Sequence, residues 1–275
     1  MNASTSFVKS LLAQCCLGGI CEWVVCPGAR NMALLQVLAA AEDLVQWTHF
    51  DERSAAFFAL GRIQDMGLPA AVVTTSGTAA AELLPAVVEA YYQRRPLLLL
   101  TADRPADYRG SAAPQAIEQA DMFGIYAPTI DLQTPDDLPE DILEDWDYAS
   151  PLHINVCLPD PDPTWNPGHC DLYPAEPPEE NKFRGSLSGL AQALRFKARH
   201  GLVLMLGGLD PTEQAPALWL ANELKAPVVA DATSGLREEL DHLALTDADR
   251  LLKQNPPAVL LRVGDVPVSR FWRDL

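Results

Sequence analysis

The sequence has no apolar run long enough to cross a membrane and no basic stretch of the kind that binds nucleic acid. A membrane-spanning helix needs about 20 consecutive apolar residues. Lys and Arg together number 20 against 37 Asp and Glu, which gives a formal net charge of −17. Such a chain lacks the positive charge that is needed to neutralise nucleic-acid phosphates. We therefore predict a soluble, cytoplasmic protein with no membrane span and no nucleic-acid partner.

Cysteine pairs with the spacing of a metal site are also missing. The six cysteines are Cys15, Cys16, Cys21, Cys26, Cys157 and Cys170. No two of them form a C-x-x-C pair, and their spacings match no zinc motif. Thiols stay reduced in a cytoplasm, so we predict free cysteines and no metal site within this chain.

The length and the apolar content indicate two folded domains of ordinary size. The chain has 275 residues, of which 48% are hydrophobic, and that fraction is enough to build buried cores. Fourteen Asp and Glu residues, with no Lys or Arg, lie between Asp131 and Asn181 and account for most of the net charge. We interpret this stretch as a solvated acidic band.

Residues 1–157 alternate between strand and helix patterns. Continuous apolar strands are predicted at Trp23–Cys26, Ala70–Thr75 and Leu97–Thr101, and helices at Asp51–Gln64 and Thr78–Tyr92. Continuous apolar strands separated by helices are typical of a parallel sheet that is covered on both faces. We therefore predict an α/β fold whose first domain, 1–157, is a flavodoxin-like parallel sheet.

A proline-rich acidic linker, 158–182, is predicted to separate this domain from a second one. Seven prolines lie between Leu158 and Glu180, and prolines of this density favour an extended segment. Strand and helix patterns then resume, which predicts a partial, Rossmann-like central domain over 183–275. Gly207-Gly208 follows a strand there but does not complete a G-x-G-x-x-G motif, so we interpret it as a tight turn.

Polar clusters follow four of the predicted strands of the first domain. They are Cys26–Arg30, His49–Ser54, Thr74–Ala79 and Thr101–Pro105. In a parallel sheet the carboxyl ends of the strands meet at one edge, where ligands bind. Each cluster also has a purely structural explanation, since Glu52 suits a helix dipole, Thr75–Thr78 suits a helix cap, and the arginines suit a surface. It is the convergence of the four clusters that predicts a binding site.

These clusters, together with Gln115–Ile117, resemble the MenD family of thiamine-diphosphate enzymes, the 2-succinyl-5-enolpyruvyl-6-hydroxy-3-cyclohexene-1-carboxylate synthases, in order and spacing. The resemblance covers essentially the whole chain. The sequence departs from the family pattern at Ala29, where Ser is common, and at Ser269, where Lys occurs. The first domain is thereby implied to be the pyrimidine-binding domain of such an enzyme.

The resemblance implies a synthase of menaquinone biosynthesis that uses thiamine diphosphate with Mg²⁺ or Mn²⁺. In that reaction 2-oxoglutarate is decarboxylated and the succinyl carbanion adds to isochorismate. Glu52 is implied to be the catalytic carboxylate that hydrogen-bonds the aminopyrimidine ring. The other implied site residues are Thr75, Ser76, Gly77 and Thr78 for the cofactor, and Arg30, Arg104, Gln115 and Arg270 for the substrate.

The domain that anchors the diphosphate and its metal ion in this family is not found in the sequence, since no Gly-Asp-Gly…Asn motif occurs. We therefore expect the chain to be inactive alone. The resemblance further implies a homodimer or homotetramer with active sites between subunits. Two alternatives remain at this point: another thiamine-diphosphate-dependent decarboxylase or ligase, and a non-catalytic homologue that only dimerises.

Overall fold

A computed structural model describes residues 3–175, residue 194 and residues 201–274. The chain divides into two compact units, Met1–Pro178 and Glu179–Leu275, and each is described by itself. The predicted start of the second domain, near residue 183, lies outside the described residues. Across the part of the chain that is described, every helix is too short or too polar to span a lipid bilayer.

The first unit contains a six-stranded, fully parallel sheet. Its strands are β1 (Glu22–Val25), β2 (Val45–Thr48), β3 (Ala70–Thr74), β4 (Leu97–Asp103), β5 (Thr129–Leu132) and β6 (Leu152–Cys157), in the order β2-β1-β3-β4-β6-β5. From β1 the chain first adds β2 on one side and then returns to add β3 on the other side, so the strand order changes direction at β1. This mixed α/β fold with a parallel sheet confirms the predicted fold class.

Helices cover both faces of this sheet. They are α1 (Ala3–Leu17), α2 (Met32–Ala39), α3 (Glu52–Met66), α4 (Thr78–Ala81) and α5 (Leu84–Gln93). Helices α1 and α2 pack with alternate strand residues such as Trp23 and Leu98 in one core, whereas α3 and α5 pack with Val72 and Leu99 in the other. All residues of β1, β3, β4 and β6 are buried. Burial on both faces explains why most of these residues are apolar.

The predicted helix Thr78–Tyr92 is wrong in one respect, because it is two helices. Helix α4 ends at Ala81 and α5 begins at Leu84, with Pro85 in its first turn. A proline lacks a backbone N–H and its ring clashes with the preceding turn, so it is accommodated at the start of a helix and not inside one. The break leaves α4 as a single turn directly after the β3 loop.

Residues 158–175 of the predicted linker pack against the first unit. Cys170 and Leu172 are buried in the core beneath α1 and α2. The backbone N–H of Cys170 donates to the carbonyl of Ala40 at 3.3 Å, and that of Ala175 donates to the carbonyl of Cys16 at 2.9 Å. The remainder of the linker, from residue 176 onward, lies outside the described residues.

The second unit contains a three-stranded parallel sheet. Its strands are β7 (Leu202–Leu206), β8 (Val228–Ala230) and β9 (Val259–Val263) in the order β8-β7-β9, with helices α6 (Pro211–Leu224), α7 (Ala248–Gln254) and α8 (Arg270–Arg273). Gly207 follows β7, and a Cβ there would lie 1.9 Å from the carbonyl oxygen of Asp265. This close approach of two backbones explains a glycine at the turn.

Candidate functional site

The carboxyl edge of the six-stranded sheet carries the loops that hold most of the predicted site residues. Arg30 follows β1, Glu52 follows β2, Thr75 follows β3 and Arg104 follows β4. Strand pairing places the ends of these four strands side by side. Their order along the edge is that of the sheet, so the loop after β3 lies between the loops after β1 and β4.

Glu52 is the first residue of α3, and the start of this helix is firmly held. Asp51 caps it by accepting a hydrogen bond from the backbone N–H of Ser54 at 2.7 Å. Further along α3, Arg62 donates from Nε and Nη2 to both carboxylate oxygens of the buried Glu22 on β1, at 2.8 and 2.7 Å. Those hydrogen bonds hold the pKa of Glu22 below its usual range. The helix is therefore tied to the sheet by a charged bidentate pair.

The carboxylate of Glu52 is half-buried and takes no hydrogen bond or ion pair from any residue that the structure describes. Glu52 lies close enough to Cys26 for its charge to affect the pKa of that thiol. Burial is the largest cause of the shift, and together with the charges of Glu52 and Asp51 it raises the pKa of Cys26 to about 12. A carboxylate at a helix start is favoured by the helix dipole. Glu52 thus stands at a capped helix start, and its carboxylate has no hydrogen-bond partner among the described residues.

The loop after β3 is buried and closely packed. Thr75 is 8% exposed, and its Oγ1 is a buried oxygen that finds no hydrogen-bond partner among the described residues. Gly28 lies against it, since a Cβ on Gly28 would fall 2.5 Å from the Thr75 Cβ. A buried hydroxyl without a partner is uncommon in a folded protein and calls for an explanation, such as a bound ligand.

Gln115 contacts this same loop. Its Nε2 donates to the carbonyl of Ser76 at 2.9 Å, and the Ser76 hydroxyl donates to the carbonyl of Gln115 at 3.0 Å. Gly77 has a φ of +82°, and a Cβ on it would lie 2.8 Å from Gln115 Cγ. The structure therefore brings the predicted substrate residue Gln115 into direct contact with the predicted cofactor residues Ser76 and Gly77.

Arg30 is buried, and its hydrogen bonds run to a different segment of the chain. Its Nη1 donates to the carbonyl of Leu158 at 3.2 Å and its Nη2 donates to Asp160 Oδ1 at 3.0 Å. It lines a cavity of about 240 Å³ together with Gln36, Trp165 and other residues. An arginine beside a cavity is well suited to bind a carboxylate, but Asp160 already contacts this one.

Arg104 is half-buried at the end of β4. Its Nε donates to the carbonyl of Pro114 at 3.0 Å, and its guanidinium lies 5.5 Å from the ring centroid of Tyr108. Its backbone N–H donates to Asp103 Oδ1 at 2.7 Å. The guanidinium thus contacts the residue that precedes Gln115, so these two predicted substrate residues lie on one side of the site.

A buried polar network behind the site was not predicted from the sequence. Its members come from β4, β5, β6 and the loops beside them, namely Thr101, Asp103, Arg109, Gln119, Thr129, Asp131, His153 and Asn155. Asn155 is its centre, because its Oδ1 accepts from Thr101 and Gln119 and its Nδ2 donates to Asp103 and Asp131. Alternating polar residues inside otherwise apolar strands were the sequence signal for it.

Electrostatics within the network are strongly perturbed. Burial alone would raise the pKa of Asp131, but hydrogen bonds from Arg109 and Asn155 lower it to about 2. The pKa of His153 falls to about 3, because its ring is fully buried and the charged form is disfavoured there. His153 is therefore neutral at physiological pH, and Arg109 and Asp131 form a charged pair at 2.7 Å.

Arg270, the remaining predicted substrate residue, belongs to the second unit. It is exposed at the start of α8, where Ser269 caps the helix and Asp249 accepts a hydrogen bond from the backbone N–H of Arg270 at 3.3 Å. Asp249 also accepts from the Ser269 hydroxyl at 2.6 Å. These contacts fix the backbone of this turn and leave the guanidinium of Arg270 exposed.

Comparison with known proteins shows which enzymes this chain is similar to. Residues 6–122 match the family described as thiamine pyrophosphate enzyme, N-terminal TPP binding domain. The whole chain is 89% identical over 275 residues to a 2-succinyl-5-enolpyruvyl-6-hydroxy-3-cyclohexene-1-carboxylate synthase of Akkermansia muciniphila and covers 52% of that protein. Synthases of the same name from Bdellovibrio bacteriovorus and Geobacillus thermodenitrificans are 35% and 37% identical over 94% and 98% of the chain, and it covers 50% and 51% of them.

The first unit is thus a thiamine-pyrophosphate-binding domain of the kind found at the N-terminus of these enzymes. The chain spans about half the length of the curated relatives it matches. Over its whole length the chain is similar to the 2-succinyl-5-enolpyruvyl-6-hydroxy-3-cyclohexene-1-carboxylate synthases, MenD, which confirms the resemblance seen in its sequence motifs.

The residues present fit the aminopyrimidine part of thiamine diphosphate. That ring offers hydrogen-bond donors and acceptors, and the site provides the carboxylate of Glu52 and the hydroxyl of Thr75, neither of which has a hydrogen-bond partner among the residues described. In the described ranges, no group of three or more His, Cys, Asp or Glu is arranged to hold a metal ion. The fit therefore concerns the organic part of the cofactor.

Proposed function

We propose that this chain is the pyrimidine-binding part of a transferase of menaquinone biosynthesis that decarboxylates 2-oxoglutarate and joins the remaining four-carbon unit to isochorismate. The observation that carries the proposal is the carboxylate of Glu52, which stands at a capped helix start on the carboxyl edge and has no hydrogen-bond partner in the part of the chain that the structure describes. Similarity to the synthases supplies the chemistry that such a carboxylate would serve.

In this proposal Glu52 exchanges a proton with a ring nitrogen of the aminopyrimidine, while the Thr75 hydroxyl and the adjoining buried loop bind the same ring. The cofactor, when bound, supplies the electron sink that allows a 2-oxo acid to lose carbon dioxide. Mg²⁺ would accompany the diphosphate and be held by residues outside those described. A fixed general acid–base group of this kind contributes about 10²–10⁴ in rate.

The substrate isochorismate carries two carboxylates, and the proposal assigns Arg30, Arg104 and Gln115 to it. Arg30 lines a cavity, and Arg104 and Gln115 lie on one side of the loop after β3. Arginine offers planar donors that match a carboxylate. The exposed guanidinium of Arg270 is proposed for the same substrate within the complete enzyme.

We also propose that the first unit pairs with a second copy of itself. Large apolar side chains are exposed on α3, α5 and the loop before α3, including Phe50 at 96%, Phe57 at 44% and Tyr92 at 71%. Exposed apolar groups of this size mark interaction surfaces in soluble proteins. A cytoplasmic homodimer, in which a partner's residues complete the site that Glu52 begins, accounts for this surface.

The proposal can be tested with a chimera, in which this chain replaces the matching half of the Akkermansia muciniphila synthase. The chimera should consume isochorismate and 2-oxoglutarate together, at a rate similar to that of the unmodified relative. The chain alone should turn over neither substrate. Decarboxylation without loss of isochorismate would instead indicate a different thiamine-dependent decarboxylase or ligase.

Glu52→Gln in the chimera should lower kcat by about 10²–10⁴ while changing the KM for 2-oxoglutarate little, because the carboxylate acts on the cofactor. The matched control is Glu42→Gln, which makes the same change at an exposed site and should leave kcat unchanged. A Glu52→Gln chimera with normal kcat would reduce Glu52 to a helix-start carboxylate and remove the main support for the proposal.

A further inference from the structure

The conformation of the loop after β3 depends on a residue that approaches it from inside the protein. The backbone N–H of Gly77 donates to Gln119 Oε1 at 2.8 Å, and Gln119 is 0% exposed. Gly77 has φ +82° and ψ −139°, a backbone conformation that residues other than glycine rarely adopt. The N–H of Gly77 is therefore directed into the core and is already paired.

The other end of the Gln119 amide is anchored on the sheet. Its Nε2 donates to Asn155 Oδ1 at 2.9 Å, with longer contacts to Ala102 O at 3.3 Å and Thr101 Oγ1 at 3.4 Å. Asn155 in turn donates to Asp103 and Asp131. The Gln119 side chain thus joins the loop after β3 to the central strands through groups that are buried.

We propose that Gln119 is a positioning residue. Its amide accepts a hydrogen bond from Gly77 and donates one to Asn155, and it thereby holds the Ser76–Thr78 loop in the position in which the loop binds the cofactor. The inference deepens the proposed function and rests on it for the identity of the ligand. Gln119 itself touches no ligand, because it is fully buried and both ends of its amide are occupied. It acts through Gly77.

The same network reaches the substrate side of the site. Asp103 accepts from Asn155 Nδ2 at 3.2 Å through Oδ2, and from the backbone N–H of Arg104 at 2.7 Å through Oδ1. A continuous series of hydrogen bonds therefore runs from Gly77 through Gln119, Asn155 and Asp103 to Arg104. Loss of the Gln119 connection should release the loop after β3 and leave Arg104 in place, because Asn155 keeps its other partners.

The first test measures hydrogen exchange of individual backbone amides in the 275-residue chain without cofactor. Gln119→Met keeps the side-chain length and removes both hydrogen bonds, and it should speed exchange at Gly77 by about tenfold or more. Exchange at Val72 in β3 should not change. Gln64→Met, at an exposed glutamine, is the matched control and should leave Gly77 protected. Gln119→Asn provides a polar variant that is too short to bridge both partners and should give the same selective result.

Unchanged exchange at Gly77 in both Gln119 variants would overturn the proposal, as would an equal acceleration at Gly77 and Val72, which would show a general loss of stability.

The second test uses the chimera. There Gln119→Met should raise the thiamine diphosphate concentration for half-maximal activity by about three- to tenfold and leave the KM for isochorismate within twofold. An unchanged half-saturation concentration would overturn the proposal. An inactive unmodified chimera would instead refute the proposed function, and the exchange measurements would still decide the role of Gln119 in the loop.

Discussion

The most quantitative prediction concerns His153, the buried histidine of the polar network. Its Nε2 lies 2.8 Å from Thr101 Oγ1 and its Nδ1 lies 2.9 Å from Thr129 Oγ1. The Thr101 hydroxyl donates to Asn155, so the ring must donate to Thr101 from Nε2 and accept from Thr129 at Nδ1. This arrangement uses the neutral imidazole, and a second ring proton would oppose the Thr129 hydroxyl. The hydrogen bonds and the burial therefore both disfavour the charged form.

The resulting dependence of stability on pH can be calculated. The pKa of His153 falls from an ordinary value of 6.5 to about 3 on folding, so the unfolded chain takes up a proton before the folded chain does. Stability is then complete above pH 6.5 and is lost as the pH falls toward 3. At pH 5 the loss relative to pH 7.5 is about 2 kcal/mol, and the full difference of pKa corresponds to about 5 kcal/mol.

The measurement is urea unfolding of the chain at pH 7.5 and pH 5, followed by tryptophan fluorescence, with His153→Gln as the variant. Glutamine can still donate to Thr101 but does not titrate, so the variant should lose about 2 kcal/mol less than the wild type over this pH range. His169→Gln, at a side chain that is 65% exposed, should behave like the wild type. An identical pH dependence in the wild type and His153→Gln would refute the reasoning.

Two further predictions concern the surface of the first unit. Asp160→Asn in the chimera should lower the KM for isochorismate by about two- to fivefold, since the Asp160 carboxylate, 83% exposed, competes for Arg30 with an energy typical of exposed ion pairs; an unchanged KM would show that the pair does not compete. At tens of micromolar the chain should be a dimer by light scattering, and Phe57→Ser should favour the monomer. Tyr173→Ser also alters an exposed aromatic residue and should leave the dimer unchanged. A monomeric wild type would contradict the proposed interface.

The fold of this protein was largely predictable because its local signals agree. The central strands β3 and β4 are apolar for most of their length, and several turns carry residues that cap helices or permit positive φ. Strands β3 and β4 begin at the predicted residues, Ala70 and Leu97. The helix Thr78–Tyr92 was wrong because its apolar periodicity continues across the break at residues 82–83, where Pro85 imposes a new start.

The candidate site was predictable only in part, for a physical reason. Residues such as Glu52 and Arg104 follow the carboxyl ends of strands, and the rule for parallel sheets places them on one edge. Gln119 and Asn155 could not be found in that way, because their roles depend on which atoms they meet. Their partners, Gly77 and Asp103, are far along the chain, and only the three-dimensional structure shows the pairing. Nor does a pattern show that Arg30 already contacts Asp160.

The buried network also specifies how β4, β5 and β6 align. Leu99 pairs with His153 and Thr101 pairs with Asn155, which pairs in turn with Asp131. Side chains alternate between the two faces of a strand, and Ile154 and Val156 accordingly pack in the opposite core, with α1 and α2. A shift of β6 by one residue would exchange these two sets.

Such a shift would leave the amide of Asn155 and the ring of His153 among apolar side chains, each without a partner, at a cost of about 1–3 kcal/mol per unpaired group. It would also remove the support of Gln119, since its partner Asn155 would face away. The register of the sheet and the position of the loop at Gly77 therefore depend on the same hydrogen bonds. Because those bonds form only when β6 is correctly aligned, a chain that folds in this register also holds the loop at Gly77 in the position that the structure shows.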